Sequence, residues 1–302
     1  MQEWTQGRGQ PSFPKTMERI EIEIGDGALS ALFWPRPGAP RLLFAHANGF
    51  NAGTYRQMLE PLANAFEIVA PDARGHGRST APADPANLFD WHVFARDLAA
   101  LNQALEPRET VFGGHSMGSV CGLLAAAKFG LSVKAMAFIE PVFMPTGFYA
   151  IPHIPGGAYL YQFNPMSSGA RRRRRDWDSR EQVTERYRSK ALFSDWAPGV
   201  LEDYLDSGLT ETDAGVQLSC DPHWEAAIFA AQGHDPWQAL KQLPRHPAIL
   251  KAGKPGSTVY ADWRLRRRGM VIEVFKEAGH LAPMSHPLES ARWLSGALRP
   301  AL

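Results

Sequence analysis

The pentapeptide Gly114-His115-Ser116-Met117-Gly118 constrains this chain more than any other stretch. The apolar run before it, residues 110–112, reads as a short buried strand. The run after it, residues 119–129, is rich in alanine and leucine and reads as a helix. A serine between two glycines at a strand-to-helix turn matches G-x-S-x-G, the pattern that presents a hydroxyl at the edge of a sheet. A serine hydroxyl is a weak nucleophile at neutral pH. It needs an adjacent base, an acid to orient that base, and donors for the oxyanion it generates.

The chain around this turn alternates strand and helix signals. Residues 19–25 alternate apolar and charged side chains with period two, as a half-exposed edge strand does, and "GDG" then turns toward a hairpin partner at 29–35. Residues 41–46, 66–71, 133–141, 247–253 and 270–280 carry the short apolar runs of buried strands. Residues 91–105, with Asp90 as a candidate N-cap, and 286–298 have helical spacing. This order predicts an α/β fold with a mostly parallel, doubly wound sheet. The alternation breaks over residues 142–232, which open with Pro, Gly and aromatics and continue with helical patterns. Ser179 and Gln182 suggest a capping box, Pro198 a first-turn proline, and 222–232 a third helix. The expected organisation is a leader at 1–18, a core at 19–141 and 233–302, and a helical cap inserted at 142–232.

Bulk properties exclude several function classes. The 302 residues carry a net charge of +1, which gives no general attraction to nucleic acid. No apolar run approaches the ~20 residues that span a bilayer, and the polar N-terminus lacks the apolar core of a signal peptide, so a cytoplasmic location is expected. Two cysteines, Cys121 and Cys220, make no disulfide framework, and Cys121 reads as a small buried thiol. No histidine, cysteine or carboxylate spacing suggests a metal, and no phosphate-loop spacing is present, so no cofactor is expected. The arginine run 171–175 could bind an anion, but a solvated face is the plainer reading.

Three further stretches complete a pattern with the serine turn. "HANGF" (46–50), "PDARGHGRS" (71–79) and "AGHLAPMSHP" (278–287) each follow a strand. Together with "GHSMG" they resemble the α/β-hydrolase superfamily, from about residue 18 to 300, with 142–232 in the place of that family's variable cap. The resemblance implies Ser116 as nucleophile, His280 as base, and backbone oxyanion donors from Met117 and Asn48. Ala47 stands where the family usually has glycine. The other histidines read as structural: His115 packs within the turn, and His46 holds its loop.

The acid is the point of departure. The family most often places it after the strand that follows the cap, where this chain reads "AGKPGSTVYADW", with Gly256 and Ser257 at the sought positions and Asp262 several residues on. Glu140 instead ends the strand after the serine helix, where haloalkane dehalogenases carry their acid. A carboxylate before a proline at a buried strand end is unusual without a partner, so Glu140 is expected over Asp262, with Asp72 and Asp235 as lesser candidates. The implied chemistry is hydrolysis of small-molecule apolar carboxylic esters, with Phe143, Met144, Phe148, Tyr149, Tyr159, Tyr161 and Phe163 as candidate pocket aromatics and apolar residues. Cleavage of C–C bonds in diketones, of amides or peptides, or of thioesters uses the same constellation, and a receptor version of the fold would bind without turnover. Epoxide hydrolases and dehalogenases resemble this chain but carry Asp where Ser116 stands. Oligomeric state is not legible.

Overall fold

The computed structural model describes residues 16–299; most of the leader expected at 1–18 lies outside them. Eight strands form one sheet: β1 (Glu18–Glu23), β2 (Ala28–Trp34), β3 (Arg41–Ala45), β4 (Glu67–Pro71), β5 (Thr110–His115), β6 (Met136–Ile139) and, beyond an insertion that holds three short strands of its own, β7 (Asp176–Trp177), β8 (Leu209–Thr212) and β9 (Gly215–Leu218), the last two strands of the main sheet, β10 (Ala248–Ala252) and β11 (Ile272–Phe275). Their order is β1-β2-β4-β3-β5-β6-β10-β11. The β1–β2 hairpin pairs antiparallel, with Glu23 opposite Ala28, and β2 pairs antiparallel with β4. Every pair from β4 to β11 is parallel.

The continuous apolar runs follow from burial on both faces. Leu43, Phe112, Phe138 and Ile249 point into one core, shared with Leu98 of α1 (His92–Ala104), Val120 and Leu124 of α2 (Met117–Lys128) and, farther along the chain, Leu240. Their neighbours Leu42, Val111, Ala137 and Leu250 point into the other, shared with Leu294 and Leu298 of the C-terminal helix (Pro287–Leu298). Period-two alternation within an apolar run thus sorts each strand between two layers of helices. The edge strand β1 keeps its glutamates in solvent.

The insertion runs from the end of β6 to β10. It contains α3 (Pro165–Arg171), α4 (Arg180–Arg188), α5 (Val200–Gly208) and α6 (Pro222–Ala230). It also contains a small sheet, β7 (Asp176–Trp177), β8 (Leu209–Thr212) and β9 (Gly215–Leu218), in the order β7-β9-β8. A helical insertion was expected, and its strands were not read, because strands of two to four residues are too short to set up a readable alternation. Pro198 does not open α5. It precedes the N-cap Gly199, which adopts φ 86°, so the helix starts at Val200. At α1 the N-cap is Trp91, and Asp90 accepts from the His92 amide at 2.8 Å.

The serine turn depends on close packing. A methyl group at Gly118 would sit 2.2 Å from the Ala45 carbonyl oxygen, in backbone that has no room to yield. Gly118→Ala should therefore force α2 away from β3, with a loss of stability of about 2 kcal/mol or more by the cost of overpacking. Urea denaturation measures it; a change within about 0.5 kcal/mol, the range of a neutral surface substitution, would show that the contact is not tight.

Candidate active site

Ser116 occupies the turn between β5 and α2 with φ 53° and ψ −116°, a backbone conformation that L-residues rarely adopt. Its amide donates to the Ile139 carbonyl at 3.0 Å, which fastens the turn to the end of β6. The Ser116 hydroxyl lies 3.1 Å from His280 Nε2. His280 Nδ1 lies 3.0 Å from Glu140 Oε2. The chain from β11 to the C-terminal helix delivers His280, and the end of β6 delivers Glu140. The three residues picked out as nucleophile, base and acid meet in one hydrogen-bonded line, from positions 116, 140 and 280.

Glu140 is wholly buried. An isolated carboxylate there would be costly, and four groups satisfy it. The Ala252 amide (2.6 Å) and the Ser257 hydroxyl (2.8 Å) donate to Oε1, while the Thr258 amide (3.0 Å) and His280 donate to Oε2. Burial by itself raises the Glu140 pKa, but the hydrogen bond and charge of His280, with the Ala252 and Ser257 donors, outweigh it and leave the carboxyl below its ordinary value. Glu140 also adopts φ 47°. Its backbone is held there by its amide on the Leu250 carbonyl (2.8 Å) and by the Thr258 hydroxyl on its own carbonyl (3.0 Å). Ser257, at the position where an aspartate is commonest, thus serves as a donor to the carboxylate from the neighbouring strand.

The other carboxylates have different work. Asp262 pairs with Lys251 at 3.3 Å. Asp235 caps α7 (Pro236–Gln242) through the Trp237 and Gln238 amides. Asp72 accepts from the Ala52 amide (2.7 Å), the Arg78 amide (3.0 Å) and Arg19 (2.8 Å), bracing its own turn and the segment beside the 46–50 loop.

Two histidines shape that loop. His46 Nδ1 contacts the Ala47 carbonyl at 2.7 Å, and its Nε2 accepts from the Ala73 amide at 2.8 Å. His76 Nε2 accepts from the Gly49 amide at 3.2 Å. Burial lowers the pKa of His46 and takes that of His76 down to about 3, so both stay neutral acceptors. Asn48 is buried, with its side-chain amide donating to the Glu225 carbonyl at 3.0 Å. Met117 opens α2, where the first amides of a helix have no intrahelical partner.

His115 does more than pack. The Ala47 amide donates to the Tyr55 hydroxyl oxygen at 3.0 Å, Tyr55 O–H donates to His115 Nδ1 at 2.7 Å, and His115 Nε2–H donates to the His280 carbonyl at 2.9 Å. All three rings and groups are buried, and burial, with the His280 ring beside it, holds His115 well below the ordinary histidine range. A single neutral tautomer fits this chain of donors. It ties together the 46–50 loop, the serine turn and the His280 loop. Tyr55 gave no sequence signal, being 60 residues from His115.

The arginine run also departs from a simple solvated face. Arg173 turns inward to pair with Glu225, and its guanidinium donates to the hydroxyls of Tyr187 (3.0 Å) and Tyr204 (2.9 Å). Tyr204 O–H reaches the Gly49 carbonyl at 3.3 Å. The insertion therefore grips the 46–50 loop at Asn48 and Gly49. Of the candidate pocket residues, Phe143 is buried against Trp237, and Phe148, Tyr149 and Tyr161 pack on one another. Tyr159 and Phe163 do not join them. They pair edge to face on the outer surface, 60% and 61% exposed, Tyr159 from the short helix Gly157–Tyr161 and Phe163 from just beyond its end.

The model of the alpha/beta hydrolase family matches residues 42–293. An epoxide hydrolase of Caballeronia sordidicola is 34% identical over 122 residues, 37% of this chain and 37% of that protein. A 2-(acetamidomethylene)succinate hydrolase of Mesorhizobium japonicum is 31% identical over 121 residues, 40% of this chain and 42% of that protein. The matched stretches span well under half the length of these relatives. Among solved structures, E-2-(acetamidomethylene)succinate hydrolase superposes with a TM-score of 0.77 at 18% identity, covering 94% of this chain and 100% of that one. A thioesterase domain from the curacin biosynthetic pathway superposes with a TM-score of 0.69 at 17% identity, covering 92% and 99%. At these identities the likeness is one of fold.

The lowered Glu140 pKa has a stability consequence. A carboxyl whose folded pKa lies below its unfolded value stabilises the fold above the ordinary carboxylate range, near ~4.3, and that contribution is lost as pH falls through the folded pKa. Glu140→Gln should be less stable than wild type at neutral pH, with the gap narrowing as the pH is taken down through and below the ordinary carboxylate range. Urea midpoints measured across that range test it, and parallel curves would mean that Glu140 titrates alike in both states.

Proposed function

The chain belongs to the alpha/beta hydrolase family, and on that premise we propose that it is a serine hydrolase cleaving carboxylic esters through an acyl-enzyme intermediate. The observation that carries this reading is the line Ser116 Oγ, His280 Nε2, His280 Nδ1, Glu140 Oε2, at 3.1 and 3.0 Å. In the proposed cycle Ser116 attacks the ester carbonyl while His280 Nε2 takes its proton. Glu140 holds Nδ1–H and stabilises the imidazolium that forms. The amides of Met117 and Asn48 receive the oxyanion. The imidazolium returns its proton to the leaving alcohol, and water repeats the sequence in reverse to release the acid. The aromatic and apolar side chains that follow Glu140 favour small to medium apolar acyl or aryl groups.

Similarity to an epoxide hydrolase over a third of the chain does not carry epoxide opening to this site. A serine oxygen that opened an epoxide would form an ether, which the histidine and a water could not hydrolyse, so the enzyme would stop after one turnover. A carboxylic ester, or a thioester, amide or activated C–C bond, regenerates the free hydroxyl. The ester is preferred over the amide and the C–C bond because a single proton from His280 lets its alcohol leave, whereas an amine or a carbon leaving group needs more assistance; a thioester would leave at least as readily.

Ser116→Ala should lower kcat by on the order of 10⁶ on a turned-over ester, while the fold persists. Retention of a tenth of the wild-type rate would remove Ser116 from the chemistry. Glu140→Gln should cost up to ~10⁴ in kcat, because an amide can hold the wrong imidazole tautomer, whereas Asp262→Asn should be nearly neutral; the reverse ranking would move the acid. A serine-directed organophosphonate should label wild type at one site and leave Ser116→Ala unlabelled. Labelling without turnover of any ester, thioester, amide or diketone in a substrate panel would favour a receptor.

A further inference from the structure

On the outer side of the insertion lies an open groove of about 720 Å³, bounded by the arginine run on one side and by α4 with the turn after it on the other. Arg172, Arg173 and Arg174 line the first wall, and Arg186 and Lys190 the second. A run of arginines on one strand of chain can fan out into solvent, but here two cations from a separate helix face it across a concavity. Glu185 is the one carboxylate on the walls.

The local neutralisation is incomplete. Arg173 is compensated by Glu225, which does not line the groove, and Arg174 lies 3.7 Å from Asp178 while stacking on Trp177. Arg188, which also ends α4, turns away to Glu202. Arg172, Arg186 and Lys190 have no carboxylate within 4.0 Å among the described residues. Lys190 rests its ammonium 4.5 Å from the Tyr187 ring centre. Burial first, and then the charges of Arg173 and Arg186, lower its pKa. Three uncompensated cations held around one concavity repel one another, and a multiply charged anion relieves that repulsion.

We propose that this groove is a binding site for a multiply charged phosphate group, such as a diphosphate. Arg172 and Arg186 would grip it as planar forks with paired N–H donors, and Lys190 would add a point charge between them. The site is separate from the serine turn. It shares Arg173 with the network that holds Tyr204 against the Gly49 carbonyl, so a bound anion lies one residue from the support of the 46–50 loop.

Calorimetric titration of the full chain with inorganic pyrophosphate, at constant ionic strength, tests this independently of catalysis. Saturable one-to-one binding is expected. Arg172→Ala and Arg186→Ala should each weaken it roughly tenfold or more, as hydrogen bonds to charged groups warrant. Arg172→Lys should recover only part of the loss, and Arg292→Ala, a surface cation on the C-terminal helix, should leave it unchanged. Circular dichroism verifies that the variants remain folded; all three positions are exposed. Absence of saturable heat, equal affinity for citrate, or binding that survives both arginine-to-alanine changes would overturn the proposal.

Discussion

A negative charge without solvent, at Glu140, is the constraint around which the site is arranged. Removing a carboxylate from water costs several kcal/mol unless donors replace the lost hydration. Those donors come from three places: the end of β10 through Ala252, the turn at Ser257 and Thr258, and the imidazole of His280. Each is therefore fixed relative to the others by the same demand. The unusual φ of Glu140 belongs to this arrangement, since Thr258 supports both its carboxylate and its carbonyl. The histidine is oriented as a by-product of satisfying a buried anion.

A second network fixes the opposite side. The sequence of donors from Ala47 through Tyr55 and His115 to the His280 carbonyl has one direction only, because His115 must accept at Nδ1 and donate at Nε2. A neutral ring is required for that, and complete burial keeps it neutral. His280 is thus held at its side chain by Glu140 and at its backbone by His115. Two independent restraints leave little rotational freedom in the ring that faces Ser116, a preorganisation that the proposed acyl transfer would reward.

Much of this was legible in the residues, for local reasons. The serine turn announces itself because its glycines, strand and helix are contiguous. Glu140 stands out because a carboxylate next to a proline at an apolar strand end contradicts its surroundings. The alternating and continuous apolar runs located the eight strands of the main sheet to within three residues at either end, except the last, where the run 270–280 overshoots the strand end at Phe275 by five residues. What escaped was non-local. Tyr55 looks like any core tyrosine until its partner 60 positions away is known. Arg173 is indistinguishable from its four neighbours in the run, yet it alone pairs with Glu225. The strands β7 to β9 are too short to show a period. Tyr159 and Phe163 were counted with the pocket because aromatic content cannot say which way a short helix faces.

The grip of the insertion on Gly49 bears on how such proteins diversify. Insertions above a conserved sheet are commonly regarded as exchangeable parts. Here Gly49 has φ 76°, and any Cβ on it would lie 2.6 Å from a Glu225 carboxylate oxygen. The main-chain path of the core loop and the side chains of the insertion are mutually moulded. A chimera that transplanted residues 142–232 onto a related core would carry Glu225, Arg173 and Tyr204 into contact with a foreign loop, and a core that kept its own 46–50 loop would meet a foreign roof. In this chain the two segments fit each other as one unit, so a change in either would have to be matched in the other.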